Sequence, residues 1–293
     1  MIDRILLFPY SLTLACRHAL YNIGLFKSHK ASVPTICVGN ITVGGTGKTP
    51  HTEMILRMLL EDERWQDKNT AVLSRGYKRK SKGFQQVVVD GTAEDFGDEP
   101  LQTKRKFPQV TVAVDKSRKE GCMFLTNPEL LQTSKKAARC LYKDMPKADI
   151  IVLDDAFQHR ALKPDFSAVL IDFNRPVFKD HLMPIGRLRD LPSRLSAADA
   201  LIVTKCPTYI DDEQRAAWAA DLGLKEFDPQ TCEGVRSNGK RQKIFFTYIN
   251  YDTPQAVYPE GDTRYLYAKR LILFSGIAND APLRHFLCEN TRS

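Results

Sequence analysis

The chain has 293 residues, 43% of them hydrophobic and 27% charged, which is the balance of an ordinary globular protein of one large or two modest domains. Its 43 Lys and Arg outnumber 35 Asp and Glu, giving a formal net charge of +8 that favours anionic partners: a nucleotide, a phosphorylated substrate or an acidic membrane surface. The basic residues form short clusters without an RNA-recognition or zinc-finger pattern, so no nucleic acid is expected. Seven scattered cysteines lack any Cys-x-x-Cys spacing, which argues against structural zinc and for reduced cytosolic thiols in core positions.

In chain order, the first element is apolar but interrupted by Arg17, His18 and Asn22, too polar for a spanning helix, and no small-residue cleavage site makes it a signal peptide. From Pro9, the residues Leu12, Ala15, Cys16, Ala19, Leu20, Ile23 and Phe26 form one apolar helical stripe, with Ser11, Arg17 and His18 off it. Lys27, His29 and Lys30 follow as a basic flank. Such a helix lies in a membrane interface or packs on its own core, and the residues alone leave both open.

An apolar strand is predicted from Pro34 to Val38, and a helix over Glu53 to Leu60. Between them stand Thr42, Val43, Gly44, Gly45, Thr46, Gly47, Lys48 and Thr49. Glycines here let consecutive backbone N–H groups curl inward, the helix N-terminus adds its positive end, and Lys48 adds a full charge. This is a cradle for nucleotide phosphates, with the Thr49 hydroxyl placed to ligate Mg²⁺. The strict pattern has glycine where this chain has Thr42.

Strands are expected over 70–74 and 84–89, then a helix over 97–106, a strand over 110–114 and a helix over 116–124. Short apolar runs at 149–153, 168–172 and 200–204 read as buried parallel strands. The rhythm predicts a P-loop-type, doubly wound, mostly parallel α/β sheet. After Cys206–Pro207 come a helix over 211–222, a strand over 244–248, further strands over 265–267 and 270–274, and the start of another helix. The predicted organisation is an N-terminal helical segment over 1–30, a P-loop domain over 31–207, and a linker with a smaller, incomplete α/β domain over 208–293.

Four features carry chemistry. Asp154 and Asp155 end an apolar strand, where one carboxylate of the pair can hold Mg²⁺. Asp98 and Glu99 open a helix, either as dipole partners or as the group that deprotonates an acceptor hydroxyl. Arg187, Arg189 and Arg194 lie in a Pro/Gly-bounded loop, a pattern suited to phosphate. Thr204 and Lys205 stand where a GTPase reads guanine, but Pro207 replaces the required Asp, which favours ATP.

Together the segments 42–50, 73–77, 97–100, 154–159, 182–195 and 274–278 resemble the tetraacyldisaccharide 4′-kinase family of the lipid A pathway in Gram-negative bacteria, in which Thr42 is normal. The resemblance implies ATP-dependent phosphorylation of the 4′-hydroxyl of a tetraacylated glucosamine disaccharide 1-phosphate, giving lipid IVA. It implies a peripheral enzyme on the cytoplasmic face of the inner membrane, held on that anionic surface partly by its N-terminal helix, with no protein partner. It assigns Lys48 and Thr49 to phosphate and Mg²⁺, Asp154, Asp155 and Gln158 to the metal shell, and Asp98 to the catalytic base with Lys48 and Asp155 in the catalytic set. Glu99, Arg118, Arg187 and Arg189 would meet the substrate. The chain has Asp190 where the family has Glu, Asp280 where the family has Pro, and ends at Ser293 before a Pro-Asp-His segment whose His pairs with the catalytic Asp. Loss of that His would impair transfer. Two competing readings remain at this stage: a P-loop ATPase switch or chaperone, and a catalytically impaired, membrane-bound fragment.

Overall fold

The computed structural model describes residues 2–252, 256, 272–277 and 280–290. Residues up to Thr247 form one compact unit and those from Tyr248 a second.

The first unit is built on ten strands: β1 (Thr35–Asn40), β2 (Thr70–Ser74), β3 (Gln85–Gln86), β4 (Thr111–Val114), β5 (Ile150–Asp154), β6 (Phe166–Asp172), β7 (Ala200–Thr204), β8 (Leu224–Asp228), β9 (Glu233–Arg236) and β10 (Arg241–Phe246). Their order is β3-β4-β2-β5-β1-β6-β7-β10-β9-β8. The run from β4 to β10 is parallel throughout, and β3, β9 and β8 add antiparallel edges. The predicted parallel sheet is therefore present, and two of its strands match the expected bounds residue for residue, 70–74 and 200–204.

Alternation along each strand divides two apolar layers. Cys37, Ala71, Leu73, Ile151, Leu153, Val169, Ile171, Leu201 and Val203 face one core. Val38, Val72, Ile150, Val152, Ala168, Leu170 and Ile202 face the other. Helix α2 (Lys48–Glu61) covers the second layer with Leu56 and Leu59, helped by Phe96 of α3 (Ala93–Phe96) and Leu101 of α4 (Asp98–Lys106). On the first layer lie Cys122, Phe124 and Leu125 of α5 (Arg118–Thr126), Leu131 of α6 (Leu130–Thr133) and Ala219 of α7 (Asp212–Asp221). Burial on both faces explains why the central strands read as unbroken apolar runs. Four of the cysteines are buried, and burial pushes the Cys37 and Cys122 thiols up to about 12, so they act as packing groups. Cys16 and Cys288 instead are exposed.

Three expectations shift. The strand expected over 84–89 is regular only at Gln85–Gln86; Val87 N still donates to the Val112 carbonyl at 2.8 Å, and the chain turns away after Val88. The boundary expected at Pro207 falls within the sheet: β10 pairs parallel to β7, and the compact unit runs on to Thr247. Helix α1 (Ile2–Asn22) starts before Pro9 rather than after it.

In α1, burial reverses the simplest reading of the sequence. Leu14 and His18 are buried and Arg17 and Tyr21 half-buried, whereas Leu12, Ala15, Cys16 and Ala19 are exposed, as are Ile23, Leu25 and Phe26 just beyond the helix. The apolar stripe faces outward. Among the described residues no helix is long and apolar enough to cross a membrane.

In the second unit, α8 (Ala281–Asn290) is the described helix, and Tyr251 packs on Phe286 with ring centroids 5.0 Å apart. The strand expected over 265–267 lies outside the described residues; of that expected over 270–274, the described part, 272–274, is not a strand.

Candidate active site

The carboxyl edge of β1 feeds directly into the glycine loop. Gly44 (φ 111°) and Gly47 (φ 84°) both take left-handed backbone, which glycine adopts at least cost. Gly47 is the N-cap of α2, so Lys48 and Thr49 begin the helix. A side chain added at Gly45 would meet nothing within 4 Å, so the mouth of the loop is open. Among the described residues no hydrogen bond or ion pair engages the Lys48 ammonium, which leaves its charge for a ligand.

The loop is braced from outside. Asn40 Nδ2 donates to Thr46 Oγ1 at 2.7 Å, and Thr204 Oγ1 donates to the Thr46 carbonyl at 3.0 Å. Lys205 Nζ donates to the Gly45 carbonyl at 2.5 Å and to Asp172 Oδ2 at 2.7 Å. The arginine-bearing segment is zipped to the other side: Val43 N donates to the Arg187 carbonyl and Arg189 N to the Ile41 carbonyl, both at 2.8 Å. Rigid support of this kind pre-arranges N–H groups for a phosphate before it arrives.

Asp154 ends β5, the strand directly beside β1, in register with Val38, and Ser74 Oγ of β2 donates to its Oδ2 at 3.2 Å. Burial pushes its carboxyl up to about 6, aided by the charges of Glu99 and Asp155 and opposed by Lys48 and Arg118. Carboxylates that repel one another around one buried oxygen pair mark a place short of positive charge, which a divalent cation would supply. Among the described residues no three His, Cys, Asp or Glu side chains form a ready cation cage. That donor set suits Mg²⁺, which takes one or two carboxylates and fills its shell with water and phosphate oxygens. Asp155 sits at φ 48°, a left-handed position that Asp tolerates, and its backbone N–H donates to the Val38 carbonyl at 2.9 Å. Burial opposes its ionisation, but the Arg189 fork, Lys48 and Arg118 outweigh that and hold the carboxyl below its usual range. Arg189 binds both Asp155 oxygens, one at 3.0 Å through Nη1, and also reaches Asn40 Oδ1.

The family model described as Tetraacyldisaccharide-1-P 4'-kinase matches residues 4–290. The chain belongs to that family. The tetraacyldisaccharide 4'-kinase of Phocaeicola vulgatus is 37% identical over 271 residues, 91% of this chain and 65% of the relative. That of Flavobacterium johnsoniae is 35% identical over 291 residues, 97% of this chain and 75% of the relative. A crystal structure of the "apo" form of LpxK from Aquifex aeolicus in complex with ATP matches with a TM-score of 0.54 and 35% identity, covering 69% of this chain and 59% of that one. The chain thus spans about two thirds of the length of several curated relatives, 65% of the first named here.

Within this tetraacyldisaccharide-1-P 4'-kinase family chain, the expected site residues do not all gather alike. Thr42 to Thr49, Asp154 and Asp155 lie at the carboxyl edge of the sheet as expected. Asp98 and Glu99 are exposed in the first turn of α4, and the charge of Glu99 reaches Asp154. Gln158 keeps a buried Nε2 with no hydrogen-bond partner, three residues past Asp155, a side-chain amide available to a polar ligand. Arg187 is exposed beside Val43.

Arg118 is the correction. It is 2% exposed, and its Nη1 and Nη2 donate to the carbonyls of Asp115 at 2.7 Å and Asp154 at 2.9 Å. No substrate reaches a guanidinium sealed in this way; Arg118 ties the ends of β4 and β5 together and lends them its charge. With Arg75 and Arg17 it also helps burial push His159 down to about 4, so that loop carries positive potential. Sequence reading missed Asn40, Ser74 and the Lys205 brace. The Thr204–Lys205 pair did signal a loop-facing position, but its partners are distant in sequence.

Because the folded Asp154 titrates near 6, its neutral form contributes stability that is present below pH 3.8 and is lost as pH rises through 6. Asp154→Asn removes that burden. We expect its melting temperature without Mg²⁺ and nucleotide to exceed wild type at pH 8 by several degrees, on a shift of about 2 to 3 kcal/mol, and to match wild type near pH 4. A calorimetric pH series showing equal melting at pH 8 would contradict the raised carboxyl.

Proposed function

We propose that this chain transfers the γ-phosphoryl of ATP to the 4′-hydroxyl of a tetraacylated glucosamine disaccharide 1-phosphate. The single observation that supports it best is the glycine loop braced at one sheet edge beside Asp154, Asp155 and the arginine segment. The acceptor O4′ forms a bond to the γ-phosphorus as the bond from that phosphorus to the β–γ bridging oxygen breaks, and ADP leaves. Lys48 holds the β- and γ-phosphates, the loop amides cradle them, and Asp98 takes the proton of the acceptor hydroxyl. Thr49, Asp154, Asp155 and Gln158 are the residues that would hold Mg²⁺, which neutralises phosphate charge when bound. Arg189 fixes Asp155, and Arg187 faces the anionic substrate from the rim.

The membrane side of the proposal rests on α1. Its exposed apolar face, continued by Ile23, Leu25 and Phe26 and flanked by Lys27, His29 and Lys30, suits the anionic cytoplasmic face of an inner membrane. The double variant Leu12→Glu with Ile23→Glu should lose co-sedimentation with anionic vesicles and keep ATP binding, since neither side chain is buried. Unchanged sedimentation would remove α1 as the membrane contact.

The function itself is tested by following ATP consumption with and without acylated disaccharide 1-phosphate. Consumption that depends on the lipid, with label appearing on O4′, is the expected result. Hydrolysis indifferent to the lipid would instead indicate an ATPase switch.

A further inference from the structure

The inner face of α1 meets both loops that hold the Arg189–Asp155 pair. Tyr10 Oη donates to the Arg189 carbonyl at 3.2 Å. Two turns later, His18 Nε2 bonds Asp190 Oδ1 at 2.6 Å, with both side chains buried. On the Asp155 side, Arg17 Nη2 donates to the Gln158 carbonyl at 3.1 Å. Arg160 donates back to the His18 carbonyl at 2.9 Å and to Asn22 Oδ1 at 2.8 Å.

Asp190 directly follows Arg189 in the chain. Its Oδ1 also accepts from Leu191 N at 2.8 Å, while its Oδ2 is buried without a hydrogen-bond partner and the Arg194 Nε stands 4.0 Å away. A buried carboxylate with so few donors depends strongly on the His18 contact. From Asp190 one peptide unit leads to Arg189, whose guanidinium joins Asp155 to Asn40 at the foot of the glycine loop. Polar contacts thus fill one side of α1 and exposed apolar residues the other, so a surface that seats the outer face acts on the inner one.

We propose that His18 and Asp190 are positioning residues that pass the seating of α1 on a lipid surface to the Arg189–Asp155 pair. The helix then sets catalytic geometry in addition to holding the enzyme at its substrate. The physical basis is ordering. A helix fixed at an interface loses rigid-body freedom, and a buried polar contact extends that restriction to the 186–191 segment, bringing more molecules into a reactive arrangement. This inference rests on the kinase reading for its catalytic meaning, but its structural core can be measured without turnover.

The test uses the full chain with vesicles of mixed phosphatidylethanolamine and phosphatidylglycerol, read by hydrogen exchange. In wild type, vesicles should slow exchange in α1 and also in 155–160 and 186–191. In His18→Ala they should slow it in α1 alone. In parallel, transfer to acylated disaccharide in detergent micelles should fall about tenfold in kcat for His18→Ala, with ATP affinity near wild type and a melting temperature lowered only by the lost buried contact. His18→Gln, whose amide nitrogen can reach the place of Nε2, should recover most of the rate. Slowing confined to α1 in wild type overturns the proposal. So does wild-type kcat in His18→Ala, or a joint loss of kcat, ATP binding and melting temperature, which would make the pair a structural brace. A wild-type chain that transfers no phosphate yet shows the exchange pattern would defeat the kinase reading alone.

Discussion

Lys48→Ala is expected to lower phosphoryl transfer by about 10²- to 10³-fold or more and to weaken ATP binding, the scale of losing one preorganised charge on a developing phosphate. The side chain stands at the first position of α2, where its charge acts on Asp154 and Asp155. Its removal should also make Asp154 still harder to ionise, because Lys48 is one of the two charges that oppose the upward push on that carboxyl. Steady-state transfer and fluorescent-nucleotide binding check both effects. Wild-type turnover would show that the glycine loop does not hold the reacting phosphates.

Asp98→Asn should leave ATP affinity nearly intact and reduce kcat by about 10²- to 10⁴-fold, as a lost general base does. The structure sharpens this into a contrast with the adjacent carboxylate. Both residues are exposed at the start of α4, but the field of Glu99 acts on Asp154, so its loss should show in Mg²⁺ dependence as well as in rate. Glu99→Gln is expected to lower the Asp154 carboxyl towards the ordinary range and to change the Mg²⁺ concentration at half-maximal rate. If Asp98→Asn instead loses ATP binding with no separate effect on kcat, Asp98 belongs to the nucleotide shell and the base lies elsewhere.

The comparison between these two neighbours shows where sequence reading stops. That they open a helix was legible from Gly97 and the following pattern, and α4 begins at Asp98 as expected. Which one touches the field of Asp154 depends on the direction of a helical turn against a strand some 50 residues away, and no local pattern encodes that. Arg118 is the same lesson with a larger consequence. The resemblance assigned Arg118 to the substrate, yet packing sealed it between two strand ends. An arginine's role is fixed by which carbonyls or carboxylates fold around it, a long-range outcome.

By itself the sequence determined the parallel sheet, the glycine loop at the end of its central strand and the acidic pair at the next strand end. These follow from local rules: buried parallel strands need apolar residues on both faces, left-handed turns favour glycine, and ligands gather at strand carboxyl ends. Periodicity also gave α1 its apolar stripe, but periodicity carries no sign. Only the tertiary structure decided that the stripe faces out, because His18 and Asp190 bury one another and Arg17 and Arg160 lock the polar face to the site loops. The tertiary structure likewise decided that Arg187 and Arg189 are strapped to the glycine loop, and that Asp155 is neutralised by Arg189 while Asp154 is held near 6. Charge energies depend on distance and burial, which only folding sets.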